Sequence, residues 1–221
     1  MIKLIIAIVL TITSFVANAQ LKGSGKTVTK SYDLKDFNKI ILNDFDGKID
    51  VEIGKSYSIS VIIDDNLVQL LNVSENKSNQ EIMLSSKGNY NNKLYIEDTK
   101  IRIKITLPNL ISIAHRGNSG LNLINCKGEN LKIDNSSNGS ISVFGEVTNL
   151  EIKNSGNGNI AAEKFIAKNA KINCNGNGNV KVNVSDSIIA KASGNCSVFN
   201  FGKAKFDSQS SKSGNARLIN K

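Results

Sequence analysis

The sequence contains little of what builds metal sites and catalytic centres. It has one histidine, His115, three cysteines and no tryptophan. A single histidine without any Cys-x-x-Cys pair cannot supply the ligands of a typical zinc site, so we expect no metal and no cofactor. Three cysteines allow at most one disulfide, and we expect Cys126, Cys174 and Cys196 to be small buried or corner residues. Whether Cys174 or Cys196 forms a disulfide is left open by the sequence.

Aromatic residues are also scarce, at 5%, although the formal net charge is +9. Surfaces that bind nucleic acid usually combine clustered basic residues with interleaved aromatic residues. Here the lysines are spread along the chain from Lys22 to Lys221. We therefore expect a moderately basic, solvated surface and no nucleic-acid partner.

Long apolar runs are missing after the first twenty residues. The early run from Leu4 to Val16 follows Lys3 and precedes Ala17-Asn18-Ala19, which is the pattern of a signal peptide over residues 1–19. The run is too short to span a bilayer, and an uncleaved membrane anchor is the alternative. We expect an exported mature chain, in the periplasm, on the cell surface or secreted, without an integral membrane segment.

Asparagine and glycine are abundant instead, with 31 asparagines and 17 glycines among 221 residues. Asparagine is the third residue of six three-residue polar segments, such as Ser155-Gly156-Asn157 and Ser193-Gly194-Asn195. From one of these asparagines to the next the distance along the chain is 20, 19, 20, 18 and 20 residues. Such a period indicates a structural repeat. The six corner asparagines are Asn118, Asn138, Asn157, Asn177, Asn195 and Asn215. We expect them to stack as a structural ladder of hydrogen-bonded amides; a polar ligand-binding row is the alternative.

Aliphatic residues keep fixed distances from each corner asparagine. Those three residues after it are Leu121, Ile141, Ile160, Val180, Val198 and Leu218. Others lie five residues after it and five and seven residues before it. Each repeat therefore predicts two short strands of period two, joined by a corner where glycine permits positive φ.

One repeat of this length cannot bury its own aliphatic side chains, whereas stacked repeats can. The sequence therefore predicts an all-β fold. Residues 108–221 should form a right-handed-type β-helix, or solenoid, of about six rungs of about 20 residues each. Residues 20–107 should form a strand-rich N-terminal part, because segments such as Ile101 to Leu107 alternate apolar and polar residues.

Several short strings resemble the bacterial head GIN domain family, whose members are called "putative autotransporter adhesin head" proteins. The strings are Asp36-Phe37-Asn38-Lys39-Ile40, Val51-Glu52-Ile53-Gly54, Asp64-Asp65-Asn66-Leu67, Leu107-Pro108-Asn109-Leu110 and the corner Ser155-Gly156-Asn157-Gly158-Asn159-Ile160. The chain departs from the family by using Asn where Ser is frequent, and by breaking the corner at Ser137 and Cys196. The resemblance covers nearly all of the mature chain. It implies β-strands running into a β-helical stack, and it implies no activity.

The acidic residues of the repeats do not predict an active site. Cleavage of glycans needs clustered carboxylates, and stacking brings together residues at equal offsets. Asp134, Glu151, Glu163 and Asp186 occupy different offsets, and His115, just ahead of the first corner, is interpreted as a turn residue. We therefore expect no enzyme and no catalytic residue.

The expected function is a non-catalytic binding or structural module, exported and adhesin-like. Outward faces rich in Asn, Ser and Lys favour glycans or proteins of the cell envelope and cell surface as partners, because flat faces suit extended ligands better than small molecules. The alternative is a glycan-cleaving β-helix enzyme of the polysaccharide lyase or hydrolase type. Its carboxylates would come together from the N-terminal part and the loops.

Overall fold

The computed structural model describes residues 21–87 and 96–221, so the predicted signal peptide lies outside the described residues. Nine strands occupy the first part of the described chain: β1 (Leu21–Lys22), β2 (Thr27–Tyr32), β3 (Lys39–Phe45), β4 (Lys48–Ile53), β5 (Ser58–Asp64), β6 (Leu71–Asn76), β7 (Glu81–Ser86), β8 (Ile96–Glu97) and β9 (Arg102–Leu107). Short 3-10 helices at Asp65–Leu70 and Lys77–Asn79 connect neighbouring strands.

The repeats form the remaining strands: β10 (Ser112–Gly117), β11 (Gly120–Asn135), β12 (Ile141–Asn154), β13 (Ile160–Gly176), β14 (Val180–Gly194), β15 (Ser197–Asn200), β16 (Ser211–Lys212) and β17 (Arg217–Asn220). The prediction of an all-β fold is confirmed. Within the described ranges, no helix has the length and apolar character needed to cross a bilayer.

Successive repeats pair as parallel strands. Leu121 lies opposite Ile141, and Ile141 lies opposite Ile160, so residues at equal offsets are neighbours. The register shifts near the middle of β11, β12 and β13. We call the part of each strand after a corner the trailing half, and the part that runs to the next corner the leading half. Because parallel neighbours are about 4.8 Å apart, one residue type at one offset forms a continuous row.

The N-terminal strands continue the same pairing. β3 pairs in parallel with β10, and β4 pairs in parallel with the trailing half of β11. On their other sides, β3 pairs with β7 and β4 pairs with β9. All four belong to one 15-stranded sheet with the repeats, and a single hydrophobic cluster runs through both parts. The division at residue 107 stays a prediction.

Both halves of the repeats contribute aliphatic side chains to this cluster. Ile133 and Ile152 of the leading halves and Val143 of a trailing half are fully buried. Burying each such side chain stabilises the fold by about 1.5–3 kcal/mol. Ile111 shares the offset of Leu131, and both line a groove on the outside of the sheet, but Ile111 is 37% exposed whereas Leu131 is buried.

Glycine at the corners meets two different requirements. Gly194 and Gly214 have positive φ, of 72° and 66°, in agreement with the expected turn geometry. Gly158 does not have positive φ; a Cβ there would collide with the carbonyl oxygen of Gly139 in the preceding repeat. At such corners the close approach of stacked backbones excludes a side chain.

Candidate functional site

The corner asparagines form a continuous row of side-chain hydrogen bonds along the stack. Each amide nitrogen donates to Oδ1 of the corner asparagine in the preceding repeat. The distances are 3.0 Å from Asn138 to Asn118, 2.8 Å from Asn157 to Asn138, 2.7 Å from Asn177 to Asn157, 2.9 Å from Asn195 to Asn177 and 2.9 Å from Asn215 to Asn195. We call this row the corner ladder. Its assignment to a structural role stays a prediction.

A second row of asparagines crosses the leading halves. The amide nitrogen of Asn149 donates to Oδ1 of Asn130 at 3.0 Å, and that of Asn169 donates to Oδ1 of Asn149 at 3.0 Å. Ser187 occupies the next position of the row. We call this row the groove ladder, because its members line an open groove of about 400 Å³.

Charged and apolar side chains complete the groove. The ammonium of Lys132 lies 2.8 Å from Oε1 of Glu151, and this hydrogen bond raises the pKa of Lys132. Both side chains are about half exposed, so the ion pair contributes little to stability. Ile111, which directly precedes β10, and Ile189, on β14, lie at opposite ends of the groove. The groove therefore offers amides, the Lys132–Glu151 ion pair, the exposed Lys171 and apolar patches to a ligand.

A third row is directed into the core, and we call it the buried column. The fully buried His115 places Nδ1 at 3.1 Å from Oδ1 of Asn135 and Nε2 at 2.8 Å from the Ser119 hydroxyl. The Asn135 amide donates to Oδ1 of Asn154 at 2.8 Å. The interpretation of His115 as a turn residue was wrong, because its side chain lies on the inward side of β10, opposite Asn135.

The surroundings of His115 favour a neutral ring. Burial lowers the pKa of His115, and the hydrogen bond to Asn135 opposes that shift in part. A ring protonated on Nδ1 donates to Asn135 and accepts at Nε2 from Ser119. Ser137 also approaches Nδ1, at 3.0 Å. Since both serine hydroxyls are buried together with the ring, these contacts satisfy buried polar groups and give a substrate no access.

The carboxylates of the repeats have separate surroundings. Asp134 lies 3.8 Å from the ammonium of Lys153, whereas Glu151 contacts Lys132. Asp186 accepts a hydrogen bond from Ser185. Among the described residues, no three His, Cys, Asp or Glu side chains are grouped closely enough to hold a metal ion.

The structure also assigns the cysteines. A disulfide joins Cys174 and Cys196, with their Cα atoms 6.0 Å apart. Cys174 follows Asn154 in the buried column. Cys126 is a free, buried thiol, and burial raises its pKa to about 12. A neutral, inaccessible thiol is a poor nucleophile, so Cys126 serves as a core residue.

Two of the three rows were not predicted, although each has a sequence signal. The groove ladder lies eight residues before the corner asparagines, at Asn130, Asn149 and Asn169. The buried column lies three residues before them, at His115, Asn135, Asn154 and Cys174. The constant offset of asparagine would have predicted the groove ladder. The mixed residue types of the buried column hide its common inward direction.

These features define an all-β protein of stacked parallel repeats with amide-rich outer surfaces. Residues 36–204 match the model of the family described as "Putative auto-transporter adhesin, head GIN domain". The chain belongs to this family, which confirms the resemblance seen in its strings. No curated protein matches the sequence.

Solved structures share the fold at low sequence identity. A crystal structure named as a putative adhesin from Bacteroides fragilis NCTC 9343 has a TM-score of 0.67 and 23% identity, covering 90% of this chain and 99% of that chain. A putative adhesin from Parabacteroides merdae ATCC 43184 has a TM-score of 0.55 and 20% identity, with 90% and 98% covered. A putative lipid binding protein from Parabacteroides distasonis ATCC 8503 has a TM-score of 0.51 and 18% identity, with 90% and 98% covered.

The string from Asp64 to Leu67, which resembles the family, has a clear structural role in this chain. The buried Asp64 carboxylate accepts hydrogen bonds from the backbone N–H of Gly25 at 2.9 Å and of Lys100 at 2.7 Å. Oδ1 of Asn66 accepts from the N–H of Ser24 at 3.0 Å. The string thus fastens the N-terminal segment to the core.

Proposed function

We propose that this chain is an exported, non-catalytic, adhesin-like binding module that holds a glycan chain along the groove ladder. The observation that carries the proposal is the row of Asn130, Asn149 and Asn169 along an open groove. Amide groups repeat there at the strand spacing of about 4.8 Å. An extended polymer can contact several of them at once.

The chemistry of the groove suits a polyhydroxylated ligand. Sugar hydroxyls both donate and accept hydrogen bonds, and asparagine amides do the same. The Lys132–Glu151 ion pair adds a charged donor and acceptor. Ile111, Ala170 and Ile189 give apolar surface for the C–H faces of sugar rings. An open groove favours an extended chain, since small molecules prefer concave pockets.

The proposal includes export and the winding of the repeats. Residues 1–19 act as a signal peptide, so the mature chain works in the periplasm, on the cell surface or in the medium. Residues 108–221 wind as a right-handed-type β-helix of about six rungs after the N-terminal part of residues 20–107. Parallel pairing between successive repeats supports the winding. The names of the Bacteroides and Parabacteroides structures, two "putative adhesins" and one "putative lipid binding protein", support a binding role.

A glycan array with residues 20–221 tests the function, followed by calorimetry on the best ligand. Asn149→Leu removes the central amide of the groove ladder and should weaken binding about 5-fold to 150-fold, because about 1–3 kcal/mol of polar contact is lost. Asn157→Leu makes the same change in the corner ladder, outside the groove. It should leave the affinity unchanged.

Two outcomes would overturn the proposal. Equal loss of glycan affinity in both asparagine variants would show that the groove ladder is not the binding site. New reducing ends or unsaturated products, formed from neutral or acidic polysaccharides and abolished by replacing one carboxylate, would support the glycan-cleaving alternative. Saturable binding without product supports the binding module.

A further inference from the structure

Positive charge is concentrated at one end of the stack. Residues 20–163 contain 17 basic and 17 acidic residues, whereas residues 164–221 contain 10 basic and 2 acidic residues. The two acidic residues are Asp186 and Asp207. The final segment, which includes β14, β15, β16 and β17, therefore has a formal charge of +8, while the longer segment before it is neutral.

The basic side chains of this segment face solvent and are not neutralised. All ten are exposed. Among the described residues, no carboxylate lies within the ion-pair distance of 4.0 Å of any of them. Elsewhere in the stack lysines do form such pairs, as Lys132 and Lys153 show. The charge of the final segment is therefore available to a partner.

These residues surround the end of the stack and do not form a stripe along one side. Lys171 and Lys191 lie on leading halves, at positions that face outward. Lys181 lies on a trailing half, in register with Phe199. Lys205 lies on the connection between β15 and β16. A linear polymer along one side would meet only part of this charge. A flat anionic surface across the end would meet most of it, because three repeats span only about 10 Å, close to one Debye length.

Apolar side chains lie at the same end. Phe201 is 44% exposed, and Phe206 and Leu218 are half-buried against the core. Lys221 places its ammonium 5.9 Å from the centre of the Phe199 ring. The end surface thus combines exposed apolar groups with surrounding lysines, which is the combination found on proteins that lie on anionic bilayers.

We propose that this end of the stack docks onto a bilayer that contains anionic lipids. Phe201 enters the headgroup region, and the surrounding lysines lie against lipid phosphates. Each basic residue near such a surface strengthens binding roughly fivefold. Lys171 also lines the groove, but Asn130 and Asn149 of the groove ladder lie on earlier repeats, away from this end, so this inference does not depend on glycan binding.

Sedimentation with vesicles tests the inference, using residues 20–221 so that the apolar leader is absent. One set of vesicles contains phosphatidylcholine with about one third phosphatidylglycerol, and the other contains phosphatidylcholine alone. We expect binding only to the anionic vesicles, lost as salt approaches about 0.5 M. The triple change Lys203→Glu, Lys205→Glu and Lys212→Glu should weaken binding by more than about 100-fold. Phe201→Ser should weaken it by about tenfold.

The matched control replaces three exposed lysines of the N-terminal part, Lys26, Lys30 and Lys48, with glutamate, which lowers the net charge by the same amount. It should keep at least a third of the vesicle affinity. Circular dichroism shows whether each variant keeps its strand content. Equal loss of vesicle affinity in both triple variants would show that only the net charge matters. It would overturn the proposal that this end of the stack is the docking surface. Absence of vesicle binding would overturn the bilayer as the partner. This holds even if the protein shows salt-sensitive binding to a soluble sulfated glycan.

Discussion

Replacing Gly158 with alanine tests whether close stacking of the corner backbones excludes side chains. A Cβ at this position would collide with the carbonyl oxygen of Gly139, and Gly178 makes the same approach to Gly158 from the next repeat. The Gly158 N–H donates to the carbonyl oxygen of Ser137 at 3.0 Å, and its own carbonyl accepts from the Asn154 amide at 3.2 Å. Any shift that relieves the collision would stretch these bonds.

The expected cost follows from those contacts. Overpacking a well-packed site costs about 1–3 kcal/mol, and weakening one hydrogen bond adds about 0.5–1.5 kcal/mol. We therefore expect Gly158→Ala to lower the free energy of unfolding by about 3 kcal/mol. For a chain of this size that corresponds to a fall in melting temperature of about 6–12 °C. Urea and thermal unfolding followed by circular dichroism measure both quantities.

Two further glycines separate crowding from backbone conformation. Gly120 has no positive φ, and a Cβ added there would have no heavy atom within 4 Å, so Gly120→Ala should be neutral or stabilising by up to about 1 kcal/mol. Gly54 has the same open space but a φ of 82°, so Gly54→Ala should cost about 1–2 kcal/mol from strain alone. If Gly158→Ala and Gly120→Ala unfold at the same urea concentration, the crowding argument fails.

Four other changes probe the core, the corner ladder, the buried column and the free thiol. Ile160→Asp should unfold the stack, because Ile160 is fully buried and an unpaired carboxylate there costs several kcal/mol. Ala161→Asp, on the neighbouring outward-facing residue, should be tolerated, and equal melting temperatures of these two variants would contradict the register. Asn157→Ala removes ladder bonds of 2.8 and 2.7 Å and should cost about 1–2 kcal/mol in urea unfolding, and an unchanged midpoint would show that the corner ladder does not stabilise the fold. Burial lowers the pKa of His115, so just below about pH 6.5 the unfolded chain gains a proton that the folded chain does not gain. The free energy of unfolding should therefore be full above about pH 6.5 and fall by at most about 1.4 kcal/mol per pH unit below it. The urea midpoint should be lower at about pH 5.5 than at about pH 7.5, and His115→Gln should remove this difference. Because burial raises the pKa of Cys126 to about 12, a thiol reagent at about pH 8 should label it only after unfolding, and rapid labelling of the folded protein would refute its burial.

The regular part of this fold was accessible from residue spacing. Ile141, Ile160 and Val180 share one offset, and the structure pairs them in sequence order. Prediction succeeded there because strands alternate with a period of two and each repeat copies the last. The same logic would have predicted the groove ladder, since Asn149 and Asn169 also share an offset.

Residues whose role depends on distant partners could not be assigned in that way. His115 lies beside a corner in the sequence, yet its direction is set by pairing with Asn135, twenty residues away. The choice of Cys196 as the partner of Cys174 depends on how the corners stack. The offset of His115 places it in one row with Asn135, but periodicity specifies neither its hydrogen bonds nor the disulfide.

Repeat length, strand alternation and the inward aliphatic rows follow from local preferences, because apolar side chains at a constant offset must share one side of a stacked strand. The tertiary structure alone shows that β3 and β4 extend the stack of repeats, since strand partners far apart in sequence are selected by packing. It also brings the lysines of the last repeats around one end. The sequence shows the excess of basic residues after residue 163, but only stacking at about 4.8 Å per repeat brings them together around one end.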